Sequence, residues 1–117
     1  KIYKTKSGIM VRSKSERSLA DFFTERGVAF RYEAKLVING KVYYTDFMIL
    51  CDDGRILIWE HFGLMDKEEY FISACRKLEQ YRRAGYVQHS NLICTYEEDL
   101  RSGAVLEEIL LRYELYS

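Results

Sequence analysis

The chain has 117 residues, 48% of them hydrophobic, with no proline and a formal net charge of zero. That suffices for one domain with its own core, and it excludes binding to a polyanion by net charge alone. No apolar stretch approaches the roughly 20 residues that span a bilayer, which excludes a membrane helix on sequence grounds. The three cysteines, Cys51, Cys75 and Cys94, are odd in number and widely spaced. They read as reduced thiols of a cytoplasmic protein rather than as a disulfide framework. A zinc site built from them with His61 and His89 lacks any C-x-x-C pair. No signal peptide is visible, and a chain opening at Lys1 is expected to be a piece of a longer polypeptide. Charge is segregated: residues 1–17 carry six basic residues against Glu16, and residues 97–117 carry six acids against Arg101 and Arg112. Such polarity orients a protein on a polyanion, and two solvated ends fit it equally well.

Ser13-x-x-Glu16 is a capping-box spacing that opens a helix ending at Gly27, with Leu19, Phe22 and Phe23 as its apolar stripe. A strand over about Ala29 to Ile38 leads into Asn39-Gly40, the strongest short hairpin signal, and returns over Lys41 to Leu50. Asp52-Asp53-Gly54 predicts a second hairpin loop and a third strand from Arg55 to Phe62. The second strand is apolar on both faces: Tyr43, Phe47 and Ile49 on one, Tyr44, Met48 and Leu50 on the other. A sheet of that kind needs helices above and below it. Asp66-x-x-Glu69 predicts a capped helix running to Arg83, with Phe71, Cys75 and Leu78 as its more apolar stripe. A short strand over Asn91 to Tyr96 follows. A last helix starts at Ser102, with Leu106, Ile109, Leu110 and Tyr113 at helical spacing. The order is α-β-β-β-α-β-α, with the third and fourth strands parallel across a right-handed crossover.

Hairpin arithmetic brings out the acids. A three-residue loop with Gly54 left-handed puts Cys51 opposite Arg55, and therefore Asp46 opposite Glu60. A two-residue turn at Asn39-Gly40 pairs Ile38 with Lys41, and therefore Glu33 with Asp46. Three carboxylates then stand in one row across three strands, where they repel one another. Glu16 lies on the buried stripe of the first helix and adds a fourth, or else serves only its cap. From the middle helix, Tyr70, Ala74, Lys77 and Tyr81 line up, so Lys77 either reaches over the sheet toward the acids or snorkels to solvent.

Ser13-Lys-Ser-Glu16, Tyr32-Glu33, Thr45-Asp46-Phe47, Trp59-Glu60-His61-Phe62-Gly63 and Lys77-x-x-x-Tyr81 together resemble the motifs of the PD-(D/E)XK nuclease superfamily. The resemblance implies the restriction-endonuclease-like fold: three layers, α/β/α, around a mixed central sheet, here with an extra C-terminal helix. It also implies a metal-dependent nuclease that hydrolyses phosphodiester bonds of nucleic acid, with DNA as the expected partner and Mg²⁺ or Mn²⁺ as cofactor. Asp46 matches the metal-binding aspartate, Glu60 the acid of the (D/E)xK motif, and Glu16 the first-helix acid of several branches. Thr45 stands in the proline position and Phe62 in the lysine position. Lys77 is then the catalytic lysine moved to the following helix, with Tyr81 four residues on. Gln80 does not fit the glutamine spacing of the exonuclease-like members.

His61 is a metal ligand through its backbone carbonyl, a substrate contact, or a core-edge histidine. Glu33 and Tyr81 support the site, while Arg76, Arg82, Arg83 and the basic N-terminus hold the phosphate backbone. Fusion to a helicase or other nucleic-acid-processing domain suits such a unit, and oligomeric state is left open. Two alternatives stand beside this expectation. One is a catalytically decayed nuclease-fold domain that binds nucleic acid or protein, for which Phe62 is the signal. The other is an interaction domain whose acids pair with Arg31 and Lys35.

Overall fold

In the computed structural model, which describes residues 1–115, the basic N-terminal segment forms a small antiparallel pair, β1 (Tyr3–Lys4) and β2 (Met10–Val11). Helix α1 (Lys14–Glu25) follows, with the Ser13 side chain accepting the Glu16 N–H at 3.0 Å. The expected capping box closes on this side only. The Glu16 carboxylate accepts the Arg12 N–H at 3.0 Å instead of that of Ser13, because the Tyr32 hydroxyl, 2.7 Å away, draws it toward the sheet. At the other end Val28 N–H bonds the Phe23 carbonyl and Gly27 N–H that of Thr24, a Schellman stop.

The first two long strands of the sequence reading are each broken in two. They form β3 (Ala29–Tyr32), β4 (Lys35–Ile38), β5 (Lys41–Tyr44) and β6 (Phe47–Leu50). The register holds through the break, from Ile38↔Lys41 to Tyr32↔Phe47 and Ala29↔Leu50, with the turn carried by Asn39 (φ 49) and Gly40 (φ 77). Glu33 takes φ 48, a left-handed conformation that a side-chain-bearing residue adopts at a cost. The ribbon bends there, so β4 and β5 form a separate two-stranded sheet. One consequence corrects the face assignment: Tyr43 leaves the row of Phe47 and Ile49 and packs near Tyr81 on the opposite side.

Strand β7 (Ile56–Phe62) pairs with β6 in the predicted register, Phe47↔Trp59 to Leu50↔Ile56. Cys51 N–H meets the Arg55 carbonyl at 2.9 Å, and Gly54 takes φ 89 in the loop between them. After β7 comes α2 (Glu68–Arg83), capped by Lys67 without a side-chain bond. Asp66 therefore does not cap it; Glu68 and Glu69 in the first turn supply the negative charge that the helix N-terminus favours. Strand β8 (Leu92–Tyr96) lies parallel to β7, and a 3-10 turn (Glu97–Leu100) leads to α3 (Gly103–Arg112). The main sheet is thus four-stranded and mixed, in the order β3-β6-β7-β8.

Two cores flank it. On one face α1 and α3 bring Leu19, Phe23, Leu106 and Leu110 onto Phe47, Ile49, Leu57, Trp59 and Ile93. Phe23 is fully buried and meets Phe47 and Trp59 edge-on at 5.2 and 4.8 Å, a geometry that adds about 0.5–1.5 kcal/mol per pair to area burial. On the other face Tyr81 of α2 and Ile38 of β4 pack with Ile58 and Leu92. The inward stripe of α2 is Tyr70, Ala74, Lys77 and Tyr81; of the Phe71-Cys75-Leu78 stripe that hydrophobicity favours, Leu78 alone packs against the core. Phe71 and Cys75 are exposed. Among the described residues no helix is long and apolar enough to cross a membrane.

Candidate active site

Asp46 sits one residue before β6 and Glu60 five residues into β7, so the two acids lie beside each other at the end of the β6–β7 ladder. They are knitted by main-chain bonds. Glu60 Oε2 accepts the Asp46 N–H at 2.8 Å, and Asp46 Oδ2 accepts the His61 N–H at 2.8 Å. Glu60 is 1% exposed, buried in the middle of a strand whose other residues from Leu57 onward are also buried. From α2, Lys77 stretches across: its Nζ lies 2.6 Å from Glu60 Oε1 and 3.1 Å from the Tyr44 carbonyl. Of the two sequence alternatives for Lys77, it reaches the acids. Its ammonium also stands 5.8 Å from the centre of the Tyr81 ring. The Tyr81 hydroxyl is buried beside the Glu60 carboxylate. A cavity of about 230 Å³ opens onto Asp46, Glu60, Tyr70 and Lys77.

The other expected members are placed differently. Glu33 keeps its register with Asp46, its N–H bonding the Asp46 carbonyl at 3.0 Å. Its left-handed backbone turns the side chain out of the acid row, 3.2 Å from Arg12. Glu16 is half-buried and held by Tyr32 and the Arg12 N–H, close enough for its charge to act on Asp46 but not part of the pair. Among the described residues no three His, Cys, Asp or Glu side chains converge as a metal-binding group. On α2, Arg82 and Arg83 both grip Glu79, at 2.6 and 3.1 Å, whereas Arg76 is exposed and makes no ion pair among the described residues. Arg31 and Lys35 pair with none of the acids there either. Burial pushes the Cys94 thiol up to about 12, so it is no thiolate at neutral pH.

The electrostatics of the pair are those of two like charges taken out of water. Burial and then the neighbouring Glu60 charge push Asp46 up to about 7, against the opposing pull of the His61 N–H and Lys77. Burial raises Glu60 as well, with Lys77 as its main counterweight. Burial, with Glu60 beside it, also raises the Tyr81 phenol well above its ordinary value. A stability consequence follows for the metal-free protein. Folded Asp46 keeps a proton that the unfolded chain gives up near pH 4, so its contribution is complete below that value and is lost as pH rises to about 7. In EDTA, urea midpoints from pH 4.5 to 7.5 should fall more steeply for the wild type than for Asp46→Asn. Parallel curves contradict the assignment.

His61 presents its ring to the opposite side of the sheet, one strand position from Glu60. It is 7% exposed, with Nδ1 2.9 Å from Thr95 Oγ1 and Nε2 3.2 Å from Glu97 Oε1. Thr95, fully buried, also accepts the Trp59 Nε1–H at 2.9 Å. Partial burial opposes it, yet hydrogen bonds from Ser15 and His61 hold the Glu97 carboxyl below its usual range. Thr95, Glu97 and Ser15 are not among the site residues expected from the sequence. Only the parallel β7–β8 register, His61↔Thr95, would have revealed Thr95, and no turn fixes that register from the sequence. Thr95→Val strands two buried polar groups and should cost on the order of 2 kcal/mol in denaturant unfolding. A loss near zero would mean that the hydroxyl is not paired as drawn.

Comparison of the chain with protein-family models, with curated proteins and with solved structures finds no match.

Proposed function

We propose that this domain is a metal-dependent nuclease of restriction-endonuclease-like fold that hydrolyses phosphodiester bonds of nucleic acid, DNA foremost. One observation carries the reading. The Lys77 ammonium reaches the Glu60 carboxylate from α2, which supports Lys77 as the stand-in for the lysine missing from the strand at Phe62. Helices α1 and α3 on one face and α2 on the other support the three-layer α/β/α arrangement.

The donor set fits a hard divalent cation. Asp46, half-buried, and Glu60, buried, are two carboxylates that repel each other, and Mg²⁺ is commonly held by one or two carboxylates with waters and substrate phosphate. In this reading Asp46 and Glu60 hold Mg²⁺ or Mn²⁺, with the His61 carbonyl beside them and Glu16 as an outlying acid. Such an ion would supply charge neutralisation at the scissile phosphate and a more acidic attacking water. The chain does the rest. Lys77 has three N–H donors and spends two, on Glu60 and on the Tyr44 carbonyl. The third is free to hold a water or a phosphate oxygen in the cavity and to stabilise charge as it develops. Asp46 and Glu60 are oriented by main-chain bonds before substrate arrives. Arg76 and the exposed Lys1, Lys4 and Lys14 of the N-terminal segment are the phosphate contacts this reading retains.

The test is cleavage of single- and double-stranded DNA with Mg²⁺ or Mn²⁺, against EDTA. Cleavage that needs the ion supports the proposal. A second reading, a decayed fold that binds nucleic acid without cutting it, draws on Phe62 and on the lack of a third converging side chain. Retained DNA binding with no cleavage in either ion would select it.

A further inference from the structure

The run Trp59-Glu60-His61-Phe62-Gly63 is bonded more heavily than a carboxylate ligand alone requires. Its polarity can be read from donor and acceptor chemistry. Trp59 Nε1–H can only donate, and the Glu97 carboxylate can only accept. Facing the Glu97 carboxylate, Nε2 carries a proton and donates it, while Nδ1 is paired with the Thr95 hydroxyl, which already accepts from Trp59. Both ring nitrogens are therefore committed, and the imidazole can neither flip nor rotate without losing two bonds. The main chain of the same residue faces the acids: its N–H holds Asp46 Oδ2 at 2.8 Å. Its carbonyl receives the Tyr70 hydroxyl at 3.4 Å. Glu97 has a second tie, accepting the Ser15 hydroxyl at 2.6 Å, and Ser15 immediately precedes Glu16 on α1. Gly63 completes the arrangement, because a Cβ there would stand 2.8 Å from Glu97 Oε1.

We infer that Glu97, with Thr95, is a positioning residue of the nuclease site: from the far face of the sheet it clamps the His61 ring, so that the His61 main chain holds Asp46 beside Glu60. Gly63 is glycine to leave room for that carboxylate. Glu97 also ties the N-terminal turn of α1, which carries Glu16, to the strand that carries Glu60. The inference rests on the nuclease reading, because it assigns Glu97 a role in shaping that site.

The experiment compares wild type, Glu97→Ala, Glu97→Gln and Gly63→Ala by Mn²⁺ calorimetry, by ¹⁵N NMR of the His61 ring in metal-free protein, and by DNA cleavage. Losing a group that orients a metal ligand weakens metal affinity by about 10- to 100-fold, and because Glu97 acts on Asp46 through His61, Glu97→Ala should fall at the low end, about 10-fold. Glu97→Gln keeps an oxygen that accepts from Nε2–H and should stay within about 3-fold of wild type, with the ring tautomer retained. Gly63→Ala pushes the carboxylate tip from His61 and should weaken Mn²⁺ binding in the same direction. Added to Glu97→Ala it should cost nothing more, since both remove one contact. If Glu97→Ala does not fold, Gly63→Ala decides, because it displaces only a flexible side-chain end. A folded Glu97→Ala or Gly63→Ala protein with wild-type Mn²⁺ affinity and cleavage overturns the clamp and leaves the nuclease reading intact. A wild type that neither binds Mn²⁺ nor cleaves overturns the nuclease reading itself.

Discussion

Asp46→Ala should lose metal-dependent cleavage by at least about a thousandfold, roughly 4 kcal/mol of barrier. The residue combines two roles at one position. Its carboxylate is half of the pair, and its N–H holds Glu60 Oε2 in place. Alanine keeps the second role and deletes the first, so the loss reports on the carboxylate and not on a collapsed strand. Asp46→Asn sharpens the point. The amide oxygen can still accept the His61 N–H, while the repulsion against Glu60 disappears. This variant should be as inactive as alanine yet more stable than metal-free wild type at pH 8, by on the order of 1–2 kcal/mol. Such opposition of stability and activity is expected where a site stores like charges for a cation. Undiminished cleavage by Asp46→Ala would end the nuclease proposal.

Lys77→Ala should lower cleavage on the order of 10²- to 10³-fold, as for other preorganised donors at developing charge, while Mn²⁺ affinity is kept or rises. Removing the ammonium leaves Glu60, 1% exposed, with no cation beside it. Breaking a buried pair costs about 3–5 kcal/mol, and here about 2 is expected because Lys77 is 27% exposed and partly screened. Mn²⁺ should then stabilise the variant more than it stabilises wild type, because the ion takes over the missing countercharge. Thermal unfolding with and without Mn²⁺ measures the difference. A variant that cleaves like wild type would remove Lys77 from the machinery. Wild type and variant alike in binding DNA without cutting it would favour the decayed fold.

Much of this architecture was legible because tight turns set register. Asn39-Gly40 and Asp52-Asp53-Gly54 leave few choices of pairing, and from them Asp46 and Glu60 fall together without knowledge of the fold. Where no turn speaks, the sequence is mute. Glu33 follows the same arithmetic, but one left-handed residue bends the ribbon and sends its carboxylate to Arg12. Helix α2 shows a different failure. Hydrophobicity selects Phe71 and Cys75 for the core, yet the inward stripe is that of Lys77 and Tyr81, because Lys77 finds Glu60 there and Tyr81 fills the space beside Ile38 and Ile58. Thr95 and Glu97 are missed because a parallel neighbour comes from across a helix. Nothing local ties Thr95 to His61.

The most direct measurement is anomalous diffraction from crystals of the protein grown or soaked with Mn²⁺. A manganese peak within ligand distance of both Asp46 and Glu60, with the Lys77 ammonium still in the same cavity, is the predicted result. An ordered Asp46–Glu60 pair with no manganese at a concentration that supports cleavage, or manganese bound only elsewhere, would contradict it.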